Sequence, residues 1–90
     1  MKTITILGKL YKIVPMTKAE CQGNMGSINR ENQIIMVNEE LAKDQYSETL
    51  LHETIHIISE ELNLNLDEDN VARLAVGLYS AKDLLKGISK

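Results

Sequence analysis

His52-Glu53-Thr54-Ile55-His56, inside the apolar run over residues 50–58, is the stretch on which the reading of this chain turns. It has the form H-E-x-x-H, two histidines one helical turn apart with a carboxylate beside the first. On a helix, residues four apart project from one face, so both imidazoles can reach a single metal ion. Glu53 is rotated about 100° from His52, which frees it from ligand duty and lets it act as a general base toward water. These are the only 2 histidines in the chain. Chance placement of two histidines and the available glutamates gives this pattern in about two chains in a thousand. The competing explanation is a buried helix whose histidines are satisfied by hydrogen bonds in the core.

Around the motif the spacing is helical from about Asp44, a residue suited to an N-cap, to about Leu62. Leu51, Ile55, Ile58 and Leu62 recur at i, i+4, i+7 and i+11 and are expected to pack on a sheet. His52, His56, Ser59 and Asn63 form the neighbouring stripe, with Leu50 and Ile57 on the other flank. The motif then lies at the edge of a core, where ligands are held rigidly and water is partly excluded.

Upstream, Thr3-Ile4-Thr5-Ile6-Leu7 alternates with period two and reads as a strand. Gly8-Lys9 is expected to turn the chain into a second strand, Leu10-Tyr11-Lys12-Ile13-Val14, that stops at Pro15. Residues 16–24 are polar, with Gly23 and Gly26 marking a loop or bulge. Residues 25–29 and 33–37, joined by Arg30-Glu31-Asn32, make a hairpin. Downstream, residues 63–66 are a short connection and Asp67 offers an N-cap. Val71, Leu74, Ala75 and Leu78 mark a final helix to about Leu85, stopped by Gly87. Lys82, Lys86 and Lys90 lie near its negative end. Gly77 is expected to allow close packing on the motif helix, since otherwise it costs about 1 kcal/mol against Ala.

The expected fold is therefore α+β in one domain over residues 1–90: a small antiparallel sheet of three to four strands at about 3–37, packed against a motif helix at about 44–62 and a final helix at about 67–85.

A catalytic zinc site normally has three protein ligands. The third is a carboxylate or Cys21. Glu68 precedes Val71, Ala75 and Leu78 by three, seven and ten residues, so it shares the inward face of the final helix and is the first choice. Asp69, about 100° round that helix, is the second. Glu68 also has a plainer role, as a first-turn carboxylate favouring the helix dipole. Glu60 and Glu61 share the motif helix and read as its solvated end. No oxyanion donor is assigned. Tyr79 lies about 16 Å along the final helix from Glu68, Tyr46 is opposite His52, and Tyr11 is in a strand.

Composition excludes several functions. The net charge of -3 argues against a nucleic-acid backbone or an anionic membrane as partner. Tyr11, Tyr46 and Tyr79 are the only aromatic rings apart from the histidines, too few for a base-stacking platform. The lone Cys21 forms no intrachain disulfide, and no third histidine remains to activate it as a nucleophile. With no signal-peptide pattern and no apolar run long enough to span a bilayer, the expected location is cytoplasmic.

Residues 50–58, followed by Leu66-Asp67-Glu68 and Val71-Ala72-Arg73-Leu74-Ala75-Val76-Gly77-Leu78-Tyr79, resemble the small phage-type zincin-like proteins, similar to the ImmA/IrrE metallopeptidase family. The resemblance covers roughly residues 25–80. It implies a minimal gluzincin, with zinc held by His52, His56 and Glu68 (or Asp69) and with Glu53 as base. Three functions of different kinds follow. One is a zinc-dependent peptidase acting on a peptide or protein that pairs with a sheet edge, which residues 33–37 would supply. The second is a zinc-binding structural or interaction module without turnover. The third is a metal-free helical packing module.

Overall fold

The computed structural model describes residues 2–17, 19–21 and 24–83. Four strands precede two helices: β1 (Lys2–Ile6), β2 (Lys9–Met16), β3 (Gly26–Asn29), β4 (Ile34–Asn38), α1 (Lys43–Glu61) and α2 (Glu68–Ser80). The architecture is α+β, as the change from period-two to helical spacing implies.

The sheet is mixed, where an antiparallel one was expected. Its order is β1-β2-β4-β3, and β2 runs parallel to β4 while the two outer pairs are antiparallel. After β2 the chain crosses to the far edge, lays down β3, and returns through a hairpin to fill the gap with β4. Composition agrees with that order. Ile34-Ile35-Met36-Val37 is apolar on both faces, as an interior strand needs, whereas Gly26-Ser27-Ile28-Asn29 is short and polar, as suits an edge. Residues 33–37, expected to offer the open edge, are therefore largely interior, and β3 takes that place.

Two turns differ in detail from expectation. The first hairpin turns on Leu7-Gly8, not Gly8-Lys9, because Ile6 pairs with Lys9. Both turn residues have positive φ (49° and 81°), which matches the right-handed twist of the flanking strands. β2 continues through Pro15 to Met16. The Lys12 N–H donates to the Gln33 carbonyl, so by alternation the nitrogen of residue 15 faces away from β4. That side lies beyond the final Lys2↔Ile13 pair of β1, and the missing N–H of proline costs no ladder bond.

One face of the sheet is covered by α1. Ile6, Tyr11, Ile13, Ile35, Val37 and Ile57 form the main core, with Tyr46, Leu50 and Ile58 of α1 packed against it. The expected stripe is thus rotated. Leu50 and Ile57 meet the sheet, while Leu51 and Ile55 turn to α2 and Leu62 is 53% exposed. A helix gripped from two sides has two apolar stripes, and spacing alone does not say which one meets which neighbour.

α1 begins after Ala42, which makes no side-chain cap; Asp44 sits in the first turn instead of capping it. Its other end is a Schellman motif. Asn63 is left-handed (φ 54°), its N–H donates to the Glu60 carbonyl, and the Leu64 N–H donates to the Ser59 carbonyl at 2.8 Å. Asp67 caps α2 as expected, accepting from the Asn70 N–H at 2.8 Å. α2 ends at Ser80 and Lys82 follows it; Leu85, Lys86, Gly87 and Lys90, expected to end the helix, and Gly23, expected in a loop, lie outside the described residues.

Among the described elements α2 packs on α1 alone, through buried Val71 and Ala75 against Ile55. Leu74 and Leu78 stay 43% and 42% exposed, so the seam is narrow. Gly77 is not at it: a Cβ there would meet nothing within 4 Å. The close approach is at Gly26, where a Cβ would lie 2.9 Å from Thr49 Cγ2 of α1. No helix among the described residues is long and apolar enough to cross a membrane.

Candidate metal centre

His52 and His56 project from α1 on the side between the sheet edge and α2, each partly buried. Their Nε2 atoms are 3.2 Å apart. The six-residue connection after α1 then brings the chain back. Ser59 organises it, since its carbonyl accepts from Leu64 and its hydroxyl accepts from the Leu66 N–H at 3.1 Å. The Asp67 cap starts α2 there, and the next residue is Glu68. Its Oε1 lies 2.6 Å from His52 Nε2 and its Oε2 lies 2.8 Å from His56 Nε2.

These three side chains form a donor group whose ligand atoms lie within 4.8 Å of one another, and it is the only such group of three or more among the described residues. Asp69 turns away and pairs with Arg73 at 3.2 Å. Cys21 is likewise outside the group. The donors suit zinc in kind and spacing. Ligand bonds of about 2.0–2.1 Å at tetrahedral angles put neighbouring donors about 3.3 Å apart, close to the separation of the two nitrogens. The Glu68 oxygens are nearer than that, at hydrogen-bonding distance. The Glu68 side chain is 72% exposed and unbranched, so it is free to withdraw by the roughly half ångström an ion requires.

Glu53 lines a cleft of about 230 Å³ together with Asn24, Met25, Gly26, Glu48, His52 and Glu68. Burial pushes its carboxyl above the usual carboxylate range; His52 and His56 act in the opposite direction, and Glu68 adds to the rise. The backbone of β3 comes close at Gly26, where an added Cβ would sit 3.4 Å from Glu53 Cγ. A carboxylate of elevated proton affinity thus stands beside a two-histidine, one-carboxylate group, with a strand edge adjacent.

Two contributions escape a reading of the sequence. Arg30, in the β3–β4 turn, reaches α1, where its Nη2 donates to the His56 carbonyl at 3.4 Å and pairs with Glu60 at 2.6 Å. It lines a second hollow of about 210 Å³ on the His56 side. Tyr79 is remote from the histidines, and its hydroxyl donates to Asp44 Oδ1 at 2.6 Å. That bond, with the charge of Asp44, raises the phenol pKa above its ordinary value. Only the placement of Arg30 in a hairpin turn and the eleven-residue spacing from Glu68 to Tyr79 hint at these roles in the sequence.

The chain matches no protein-family model, no curated protein and no solved structure.

Proposed function

We propose that the chain is a zinc-dependent metallopeptidase of minimal gluzincin type, similar to the small phage-type zincin-like proteins and the ImmA/IrrE family. The observation that carries this is the return of Glu68 from α2 onto both Nε2 atoms of the motif histidines. His52, His56 and Glu68 would hold the ion. When bound, zinc supplies a Lewis acid that polarises a carbonyl and acidifies water at neutral pH. Glu53 takes the proton from the attacking water as its oxygen bonds to the carbonyl carbon, then delivers it to the amine as the C–N bond breaks. Its burial favours the first half of that cycle, because a carboxylate of raised pKa is a stronger base toward the water.

An extended peptide or protein segment is the substrate class that fits. β3 ends the sheet, and its first residue, Gly26, lines the Glu53 cleft, so a strand added to it passes alongside the histidines. The carboxylates of Glu48, Glu53 and Glu68 on that side disfavour an acidic partner, nucleic acid included.

The test is metal content and cleavage measured together. Near one equivalent of zinc per chain is expected, lost in His56→Ala and reduced in Glu68→Ala. A peptide library should be cut by the wild type, and Glu53→Gln should keep its metal but cut nothing. Metal retained with no cleavage by the wild type would leave a zinc-binding module without turnover. Cleavage surviving in Glu53→Gln would remove that residue as the base. A wild type that takes up no zinc would leave α1 as a packed helix.

A further inference from the structure

The third donor sits on the helix with the thinnest attachment. Among the described elements α2 touches α1 and no strand, and its buried residues are Val71 and Ala75 alone. A narrow apolar seam resists separation of two helices but does little to stop one rolling about its own axis. Any roll re-aims Glu68, whose 72% exposed side chain has no packing of its own to hold it.

At the far end of α2 a polar contact opposes the roll. Tyr79 donates to Asp44 at 2.6 Å, and Lys82 Nζ lies 4.2 Å from the centre of the tyrosine ring. Tyr79 follows Glu68 by eleven residues, about three helical turns, which brings it back to the same face about 16 Å along the axis. On α1, Asp44 precedes His52 by about two turns. The antiparallel helices are therefore bracketed by two facing polar contacts, Glu68 on the histidine pair at one end and Tyr79 on Asp44 at the other. With the apolar seam between them, fixing the far contact fixes the rotation that aims the near one.

We infer that Tyr79 and Asp44 are a positioning pair for the third metal donor, holding α2 in the rotation that presents Glu68 to His52 and His56. The inference rests on the metal-binding reading above. Neither residue touches the donors; both act through Glu68.

The experiment is titration of the full chain with zinc, and with cobalt(II) followed by visible absorption, on wild type, Tyr79→Phe, Glu68→Ala and the double variant. Tyr79→Phe keeps the ring and removes only the hydroxyl, which meets Asp44 and Ser47 of α1. It is expected to weaken zinc about three- to tenfold and to shift the cobalt spectrum toward that of Glu68→Ala. In the Glu68→Ala background the same change should have no further effect, because the path runs through that carboxylate. Asp44→Ala should reproduce the loss from the other partner, and Asp44→Asn, which keeps an acceptor oxygen, should recover most of it. Tyr79→Phe binding both metals like the wild type would overturn the inference, as would equal weakening in both backgrounds, the mark of general destabilisation. A wild type that binds neither metal would overturn the metal reading and this inference with it, and that outcome is visible before any variant is made.

Discussion

Alanine in place of Gly26 and alanine in place of Gly77 should have opposite effects on stability. At Gly26 the added methyl would lie 2.9 Å from Thr49 Cγ2 and 3.0 Å from the Met36 carbonyl oxygen. Carbon atoms in contact prefer about 3.5–4.0 Å, so something must move by roughly 0.6–1 Å. The Met36 oxygen belongs to the backbone of β4, and Thr49 is 7% exposed on the helix pressed against the sheet. The cheapest relief is to lift α1 off β3. Overpacking of this kind costs about 1–3 kcal/mol, and the lower chain entropy of alanine in the unfolded state returns about 0.4–1. Gly26 does not have positive φ, so no backbone strain enters. The net loss is centred on about 1.3 kcal/mol, a fall of about 5–10 °C in Tm for a domain of this size. At Gly77 the methyl meets nothing within 4 Å on an exposed helix position. There alanine should gain about 0.5–1 kcal/mol from helix propensity. Thermal unfolding followed by circular dichroism on the three proteins decides the matter. If Gly26→Ala melts at or above the wild type, β3 and α1 are not in the contact described, and the wall of the Glu53 cleft is misplaced.

Leu7, 54% exposed with φ 49°, occupies a turn position that asparagine tolerates better; Leu7→Asn should raise unfolding free energy by about 0.5–1 kcal/mol in urea melts, and a loss would argue against this turn. Zinc at about a hundred times its Kd should stabilise the protein by about 2.7 kcal/mol, a gain absent from His56→Ala and reversed by chelator. Glu53 gives the metal-free protein a pH dependence of definite sign. Its carboxyl pKa is raised on folding, so the folded chain keeps a proton that the unfolded chain has lost. Stability from this group is full below the ordinary carboxyl value and falls as pH rises through the raised one. Glu53→Gln should flatten that slope and be at least as stable as wild type at neutral pH, measured by unfolding across the interval.

Much of the fold could be read from local pattern, and the parts that could not have physical causes. The strand pairs, the hairpin through Arg30, and the Asp67 cap all rest on interactions within a few residues of one another. The parallel pairing of β2 with β4 does not. It depends on where a polar connection lets the chain go, and only the uninterrupted apolar run Ile34-Ile35-Met36-Val37 signals an interior strand. On α1, Ile58 packs on the sheet as its spacing implies, but Leu51 and Ile55 meet α2 instead, because Leu50 with Ile57 and Leu51 with Ile55 are equally apolar and spacing does not separate them. At the site, helical geometry sufficed to place His52 beside His56 and Glu68 on the inward side of α2. That Glu68, and not Asp69, meets the histidines depends on the rotation of α2, which Ser59, Asp67 and Tyr79 set through contacts that no periodicity encodes.

The six-residue connection between the helices carries one more consequence. All three donors fall within a span of seventeen residues, from His52 to Glu68, so closing that loop costs little chain entropy. The strand that walls the cleft lies upstream, and it reaches the histidines only through long-range pairing, which forms more slowly than helix-to-helix contact. On the zinc reading proposed above, capture of the ion would be separable from construction of the cleft beside it along the folding route. An ion in hand would cross-link the helical hairpin early and offer the sheet a template already in shape.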